Sequence, residues 1–341
     1  MSGPPDRVRS FLFEQLDIRG AWVQLGGAWR EMAAGRDYPE PALELLGQLA
    51  GVTTLIAANL KQAGRLTFQL RGDGEVSLLV MDCDEQLRLR GMARTPSHLS
   101  AGSLPALLGD GALTLTLDTA DMRQPYQSHV PLQGDTLAAV FEHYLAQSEQ
   151  APTRLWLAAN HETAAGLFLQ ALPGAAMRDA DGWNRVQILA DTVRADELLG
   201  LGAIKLIERL FPEEDVRVYD PRPVSYHCPY DPDKIYSMLR SVGRAECEDI
   251  LAEQGEIRVH DDICNHEYVL DAAAVAALFE GGKGGGRALI LDTRDGHVWI
   301  WSENELITAP DGHRHYGTGF IYQGRLRPGN QAGEFIEQQA K

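Results

Sequence analysis

Leu66-Thr-Phe-Gln-Leu-Arg-Gly-Asp-Gly-Glu-Val-Ser-Leu-Leu-Val80 reads as two runs of alternating apolar and polar residues around a glycine-rich turn, Arg71-Gly-Asp-Gly74. Such alternation places successive side chains on opposite faces, so the stretch predicts two antiparallel strands joined by a tight connection. Upstream, Pro41 to Leu60 sets Leu45, Leu46, Leu49, Val52, Leu55, Ile56 and Leu60 three and four residues apart, the spacing of a helix with a wide buried stripe. Downstream, Gln86 to Arg94 and Ala112 to Thr119 continue the strand alternation. Helices beside a mainly antiparallel sheet define an α+β domain.

Working outward, Asp135 is placed to cap a helix through Leu137, Val140, Phe141, Tyr144 and Leu145. Arg154 to Ala159 and Gly166 to Leu172 predict further strands, closed by Pro173-Gly174. From Trp183 to Phe211 the spacing turns helical, with Val186, Ile188, Leu189, Val193, Leu198, Leu199, Ile204, Ile207 and Leu210 as its apolar positions, which suits a helical connector. Pro212 to Pro223 is acidic and proline-rich and reads as a boundary. Asp271 to Phe279 reads as a helix and Gly281 to Gly286 as a flexible linker. Arg294-Asp-Gly296 between two apolar runs predicts a hairpin, with Gly319 to Tyr322 as a third strand. The expected organisation is an N-terminal α+β domain (1–178), a helical connector (179–223), a small cysteine-bearing domain (224–280), and a linker with a β tail (281–341).

Composition bounds the partners. With 31 Lys+Arg against 48 Asp+Glu, the 341-residue chain carries a formal charge of −17, which disfavours nucleic acid and anionic membranes. Residues 281–341 hold seven residues of each sign, so the excess lies in residues 1–280. The N-terminus has too short an apolar run for a signal peptide. No stretch approaches the ~20 apolar residues of a membrane span, and the expected compartment is the cytoplasm. Four cysteines, Cys83, Cys228, Cys247 and Cys264, are too few for a disulfide scaffold.

No catalytic constellation emerges, and the chain is not expected to be an enzyme. The glycine runs lack the Gly-Lys-Ser/Thr of a phosphate loop, and there is no Gly-x-Ser-x-Gly elbow. His143 suits a helix surface, and His313 and His315 a solvated loop. What remains is a pair of segments, His227-Cys228-Pro229-Tyr230 and His260-Asp261-Asp262-Ile263-Cys264, which read as two knuckles of one thiol site with half the thiols missing.

Several blocks along the chain resemble the heat-shock protein 33 family of redox-regulated holdase chaperones. They are Leu12-Phe-Glu with Arg19-Gly20; Asp37-Tyr-Pro-Glu-Pro41; Gln69-Leu-Arg-Gly-Asp-Gly74; Arg90-Gly-Met-Ala-Arg94; Gly134-Asp-Thr-Leu-Ala-Ala139 with Ser148 to Arg154; Ala164-Ala-Gly166 with Leu169-Gln170; Glu197-Leu-Leu199; and Val218-Tyr-Asp-Pro221. Each is weak alone, but they follow family order from about residue 10 to 270. The resemblance implies a Cys-x-Cys and a Cys-x-x-Cys holding one Zn²⁺, whose oxidative loss loosens the zinc domain and connector and exposes apolar surface to unfolding clients. Here Tyr230 and Asp261 stand where two of those thiols belong.

Three outcomes stay open at this level. Zn²⁺ persists on Cys228 and Cys264 with Asp261 and one of His227, His260 or His266, since zinc accepts sulfur, nitrogen and oxygen. Alternatively Cys228 and Cys264 form one reversible disulfide without metal, or both are relics and activity is constitutive or heat-triggered. Cys83 and Cys247 are expected to be packed. The resemblance implies an ATP-independent holdase for unfolded proteins, with Val186, Ile188, Leu189, Leu198, Leu199, Ile204 and Ile207 as client-binding residues and a homodimer as a candidate assembly. Two other classes compete: a hydrolase using an open zinc site on Asp261, Cys264 and His260, and an interaction module using the tail.

Overall fold

The computed structural model describes residues 6–60, 62–119, 121–122, 124–280, 289–291, 297–308, 314–326 and 335–337. They form two compact units, Met1–Tyr230 with His260–Glu267, and Asp231–Val259 with Tyr268–Lys341.

In chain order the first unit begins β1 (Arg7–Phe13), β2 (Ile18–Leu25), α1 (Gly27–Ala33), α2 (Glu40–Ala58), β3 (Arg65–Gly72), β4 (Leu78–Cys83) and β5 (Arg88–Arg94). It continues with α3 (Leu104–Leu108), β6 (Gly111–Asp118), β7 (Tyr126–Pro131), α4 (Leu137–Glu149), β8 (Thr153–Ala159) and β9 (Ala164–Ala171). Then come α5 (Ala175–Arg178), α6 (Gly182–Ala190), α7 (Ala195–Gly200), α8 (Ala203–Leu210), β10 (Val216–Val218), β11 (Arg222–Pro223) and β12 (Ser225–Tyr226).

The opening stretch forms β3 and β4, paired antiparallel from Leu66↔Cys83 to Arg71↔Leu78. At Gly72 and Gly74 an added Cβ would meet the backbone of Leu107 or Leu108, so close chain packing, rather than a ligand, demands glycine there. These strands belong to a sheet ordered β12-β5-β4-β3-β6-β7, while a first sheet runs β10-β1-β2-β9-β8 with β11 also on β1. Helix α2 packs against strands of both sheets. Its 19 residues are in fact long and apolar enough to cross a membrane, which corrects the sequence expectation, and 72% of that apolar window is buried inside the protein. The physical reason for its composition is a helix enclosed on several sides rather than along one stripe.

The first sheet is covered on both faces. Val23, Ala164 and Phe168 point to the core that holds α2, while Trp22, Leu167 and Leu169 point to a second core. Burial on both faces explains why all eight residues of β9 are buried. In the second core Phe11, Phe13, Trp22, Leu167 and Leu169 meet Val186, Leu198, Leu206, Ile207 and Leu210 of α6, α7 and α8. Phe13 and Phe211 pack edge to face with centroids 4.9 Å apart.

Two local readings need correction. Thr136, not Asp135, caps α4, its Oγ1 accepting from the Ala139 N–H at 3.2 Å, because the chain turns one residue later than the spacing suggested. Residues 212–223 carry β10 and β11, which extend the first sheet along β1 (Phe11↔Val218, Val8↔Arg222). Strands of two and three residues in a proline-rich run leave no periodicity to detect.

The second unit holds α9 (Pro232–Val242), α10 (Arg244–Gln254) and α11 (Ala272–Glu280), together with residues of β13 (Ile257–Asp261) and β14 (His266–Leu270), which pair. Ile235, Leu239, Cys247, Ile257, Tyr268, Leu270, Val275 and Leu278 form its small core. The tail contributes a sheet ordered β15 (Leu289–Leu291), β16 (His297–Thr308), β17 (Arg314–Leu326) and β18 (Phe335–Glu337). The expected hairpin is present, β15 pairing β16 with Leu291↔Val298, and Gly319 to Tyr322 lies within β17. His315 is thus on a strand rather than in a loop. His313, Gly281 to Gly286 and the turn Arg294-Asp-Gly296 lie outside the described residues.

Candidate functional site

Two backbone paths bring the knuckles together. Short β12 runs parallel to β5, with the Ser225 N–H donating to the Leu87 carbonyl (3.2 Å) and the His227 N–H to the Leu89 carbonyl (3.0 Å), and it delivers Cys228 just beyond. In the other knuckle the Asp261 Oδ1 accepts from the N–H groups of Ile263 (3.0 Å) and Cys264 (3.2 Å), a side-chain turn that folds the segment back. Asn265 then adopts φ +54°, a left-handed conformation that asparagine tolerates better than most residues.

The returned segment is held from outside. The Arg36 guanidinium donates to the carbonyls of Asp262 (2.8 Å) and Ile263 (2.7 Å), Arg94 pairs with the Asp262 carboxylate at 2.8 Å, and the Asn265 amide donates to the Gly35 carbonyl at 3.2 Å. Arg36 is itself positioned by Tyr38, whose hydroxyl accepts from it and from the Ala93 N–H, both at 3.0 Å. Sequence reasoning missed Arg36, Tyr38, Arg94 and Asn265 as site residues. Tyr38 and Arg94 do fall within blocks that carried the family resemblance.

Cys228 and Cys264 are joined as a disulfide, with a sequence separation of 36 and a Cα–Cα separation of 5.4 Å. That separation is ordinary for a disulfide, and closing a loop of this size contributes about 4 kcal/mol by the chain-entropy estimate. The remaining metal candidates do not converge. Tyr230 is exposed and its ring lies 5.8 Å from that of His266, while the His260 Nε2 is 3.9 Å from an Asp262 oxygen. In this disulfide-bonded form the two sulfurs are bonded to each other and Asp261 is engaged in its turn, so neither sulfur is available as a thiolate donor to Zn²⁺. Among the described residues no group of three or more His, Cys, Asp or Glu is placed to hold a metal. In the same form Cys264 offers no thiolate to the open zinc site of the hydrolase reading.

Cys83, on β4, and Cys247, on α10, are buried free thiols. Burial pushes both thiols up, reinforced at Cys83 by Asp84 and Asp82 and at Cys247 by Glu246. They are therefore protonated and unreactive at neutral pH.

The residues expected to bind clients divide by face. Val186, Leu198 and Ile207 are buried against the first sheet, Leu189 and Leu199 pack at its margin, and Ile188 (59% exposed) and Ile204 (42%) face solvent. The sequence pattern missed a fully buried cover residue, Leu206, and named no residue of the sheet that the helices cover. Polar ties hold the cover in place. Arg185 bonds Glu214 (2.7 Å) and Asp179 (3.1 Å), Arg209 bonds Glu197 (2.9 Å), and the Gln24 amide donates to the Leu199 carbonyl (2.6 Å).

Comparison with known proteins converges on one group. A family model described as Hsp33 protein matches residues 6–271. The chain is similar to the 33 kDa chaperonin of Methylobacillus flagellatus, 40% identical over 276 residues that cover 80% of this chain and 94% of that protein. The 33 kDa chaperonin of Nitrosococcus oceani is 41% identical over 274 residues, covering 80% and 94%. Among solved structures, the crystal structure of the 33 kDa chaperonin (heat shock protein 33 homolog) from Thermotoga maritima superposes with a TM-score of 0.70. At 19% identity it covers 81% of this chain and 98% of that one, a likeness of fold.

Proposed function

The chain belongs to the Hsp33 family, and from that premise we propose that it is an ATP-independent holdase chaperone that captures unfolding proteins on the outer face of its first sheet when α6–α8 lift away. The observation that carries this reading is the mismatch between that face and its cover. Phe11, Phe13, Trp22, Leu167 and Leu169 form a surface too apolar for water, while the covering helices have nine, six and eight residues. Isolated helices shorter than about 12–15 residues are marginal in water, so once detached the cover unfolds and adds its own apolar side chains to the exposed surface. The core around α2 does not depend on the cover. Capture of this kind needs neither nucleotide nor catalysis.

In this reading residues 179–223 act as the cover of a body spanning 1–178, and Cys228–Cys264 stands where the family's metal would. Two thiols become one disulfide by giving two electrons and two protons to an oxidant such as peroxide, which leaves as water. The disulfide and the covered sheet are present together, and in this reading disulfide formation alone is not the opening step. The pair instead sets the stability of its own loop, and heat or acid releases the cover. The proposed setting is the cytoplasm, and a charge of −17 keeps client complexes soluble.

The test follows light scattering by a thermally unfolding client with the full chain as purified, after peroxide, after thiol reduction, and as Cys228→Ser/Cys264→Ser. Client protection in every state, with its onset shifted between them, is expected. A chain that protects the client in none of them is not a holdase.

A further inference from the structure

We propose that the junction between β1–β2 and the N-terminus of α8 is a binding site for a phosphate-type oxyanion. Register places Arg7 opposite Gln24 and Arg9 opposite Trp22, and residues two apart in a strand share a face, so both arginines stand on the face that the connector covers. Lys205 of α8 joins them around a cavity of about 380 Å³. None of these three cations makes an ion pair among the described residues, although acidic residues predominate in the chain.

The backbone completes the cationic lining. Gly202 precedes α8 and offers no side chain to cap it, and the first N–H to bond back within the helix is that of Leu206, to the Gly202 carbonyl at 3.0 Å. The preceding N–H groups are free donors at the positive end of the helix dipole. A Cβ added at Gly200 or Gly202 would meet nothing within 4 Å, so the backbone is open to close approach.

An independent observation points to a ligand. Trp22 is a wall of this cavity, is 1% exposed, and its buried indole Nε1–H has no acceptor. A buried donor left unmatched costs about 1–3 kcal/mol, and an oxyanion between the arginines would supply the acceptor. Because this anion would bridge β1 to α8, it ties the cover to the sheet. The binding itself stands independently of the chaperone reading.

The experiment is calorimetric titration of the full chain with inorganic pyrophosphate, with sodium chloride at matched ionic strength as control. One saturable site per chain is expected, weakened by about tenfold or more in Arg7→Gln/Arg9→Gln, since each charge-assisted bond lost is worth at least that factor. Trp22→Phe removes the donor together with part of the buried ring, and a several-fold weakening is expected in a variant that a circular dichroism melt shows to be folded. Heat no larger than the chloride control, or equal affinity in the double arginine variant, overturns the site. Unchanged affinity in Trp22→Phe overturns the part assigned to the indole.

Discussion

Arg185 donates from Nε to the Glu214 carboxylate at 2.7 Å, and its two terminal nitrogens reach Asp179 at 3.1 Å, so one guanidinium joins α6 to both flanks of the connector. Glu214 retains only 11% of its side-chain exposure and Arg185 38%. For a partly screened pair of this kind the contribution is about 1 kcal/mol. Arg185→Gln is expected to lower the temperature at which client protection begins by a few degrees, leaving the main unfolding transition in place. Equal onset temperatures for the two proteins in the same scattering assay would count against the pair as a latch.

Apolar cover should matter more. Leu198 is 2% exposed and lies in the second core, so Leu198→Ala is expected to destabilise the closed cover by about 2–4 kcal/mol and make capture possible at ordinary growth temperatures. Ile188→Ala, at a solvent-facing position of the neighbouring helix, should shift cover stability by about 0.5 kcal/mol or less. Circular dichroism melts beside client assays check both. A larger effect at Ile188 than at Leu198 would mean that the assigned faces are reversed.

Thiol counting separates the cysteines. Of the four in the chain, Cys228 and Cys264 are paired and Cys83 and Cys247 are buried with thiols pushed up by burial. A thiol reagent is expected to find none in the native oxidised protein, two after denaturation, and four after reduction and denaturation. Cys228→Ser/Cys264→Ser should lower the stability of the loop between them by up to about 4 kcal/mol. Rapid native labelling at Cys83 or Cys247 would show that their surroundings open readily.

Acid should release the cover. Backbone N–H donation from Asp181, then Arg185, hold Asp179 below the ordinary carboxylate range; Arg194 does the same for Asp196 through its side chain and for Glu197 through its backbone. Groups with lowered values contribute stability that is fully present above the unfolded carboxylate range, about 4, and is lost as pH falls through their folded values. Pepsin digestion between pH 5 and pH 3 is therefore expected to cut first within residues 182–210. First cleavage in α2 or β9 would contradict this order of opening.

The sequence made α2 and β3–β6 legible because their apolar periodicity is long and uninterrupted. It also made the spacing of Cys228 and Cys264 legible, though not their bond, since spacing carries no geometry. Arg36 and Arg94 escaped notice because surface-type residues act here on backbone carbonyls and a carboxylate more than 160 positions away. In the connector, helical spacing identified the apolar residues but not which of them face the sheet. Ile188 and Val186 are two apart on one helix, with 59% and 0% exposure. Helices this short change direction at every loop, and only the packed structure fixes their inward sides.

On the proposed mechanism α6–α8 uncover the first sheet when the chain begins to hold clients. Amide hydrogen exchange of residues 182–210 and of β9, followed through the temperature at which client aggregation is first suppressed, addresses it most directly. Connector amides are expected to lose protection in that same interval while β9 stays protected. Full client protection with the connector amides still closed would contradict it.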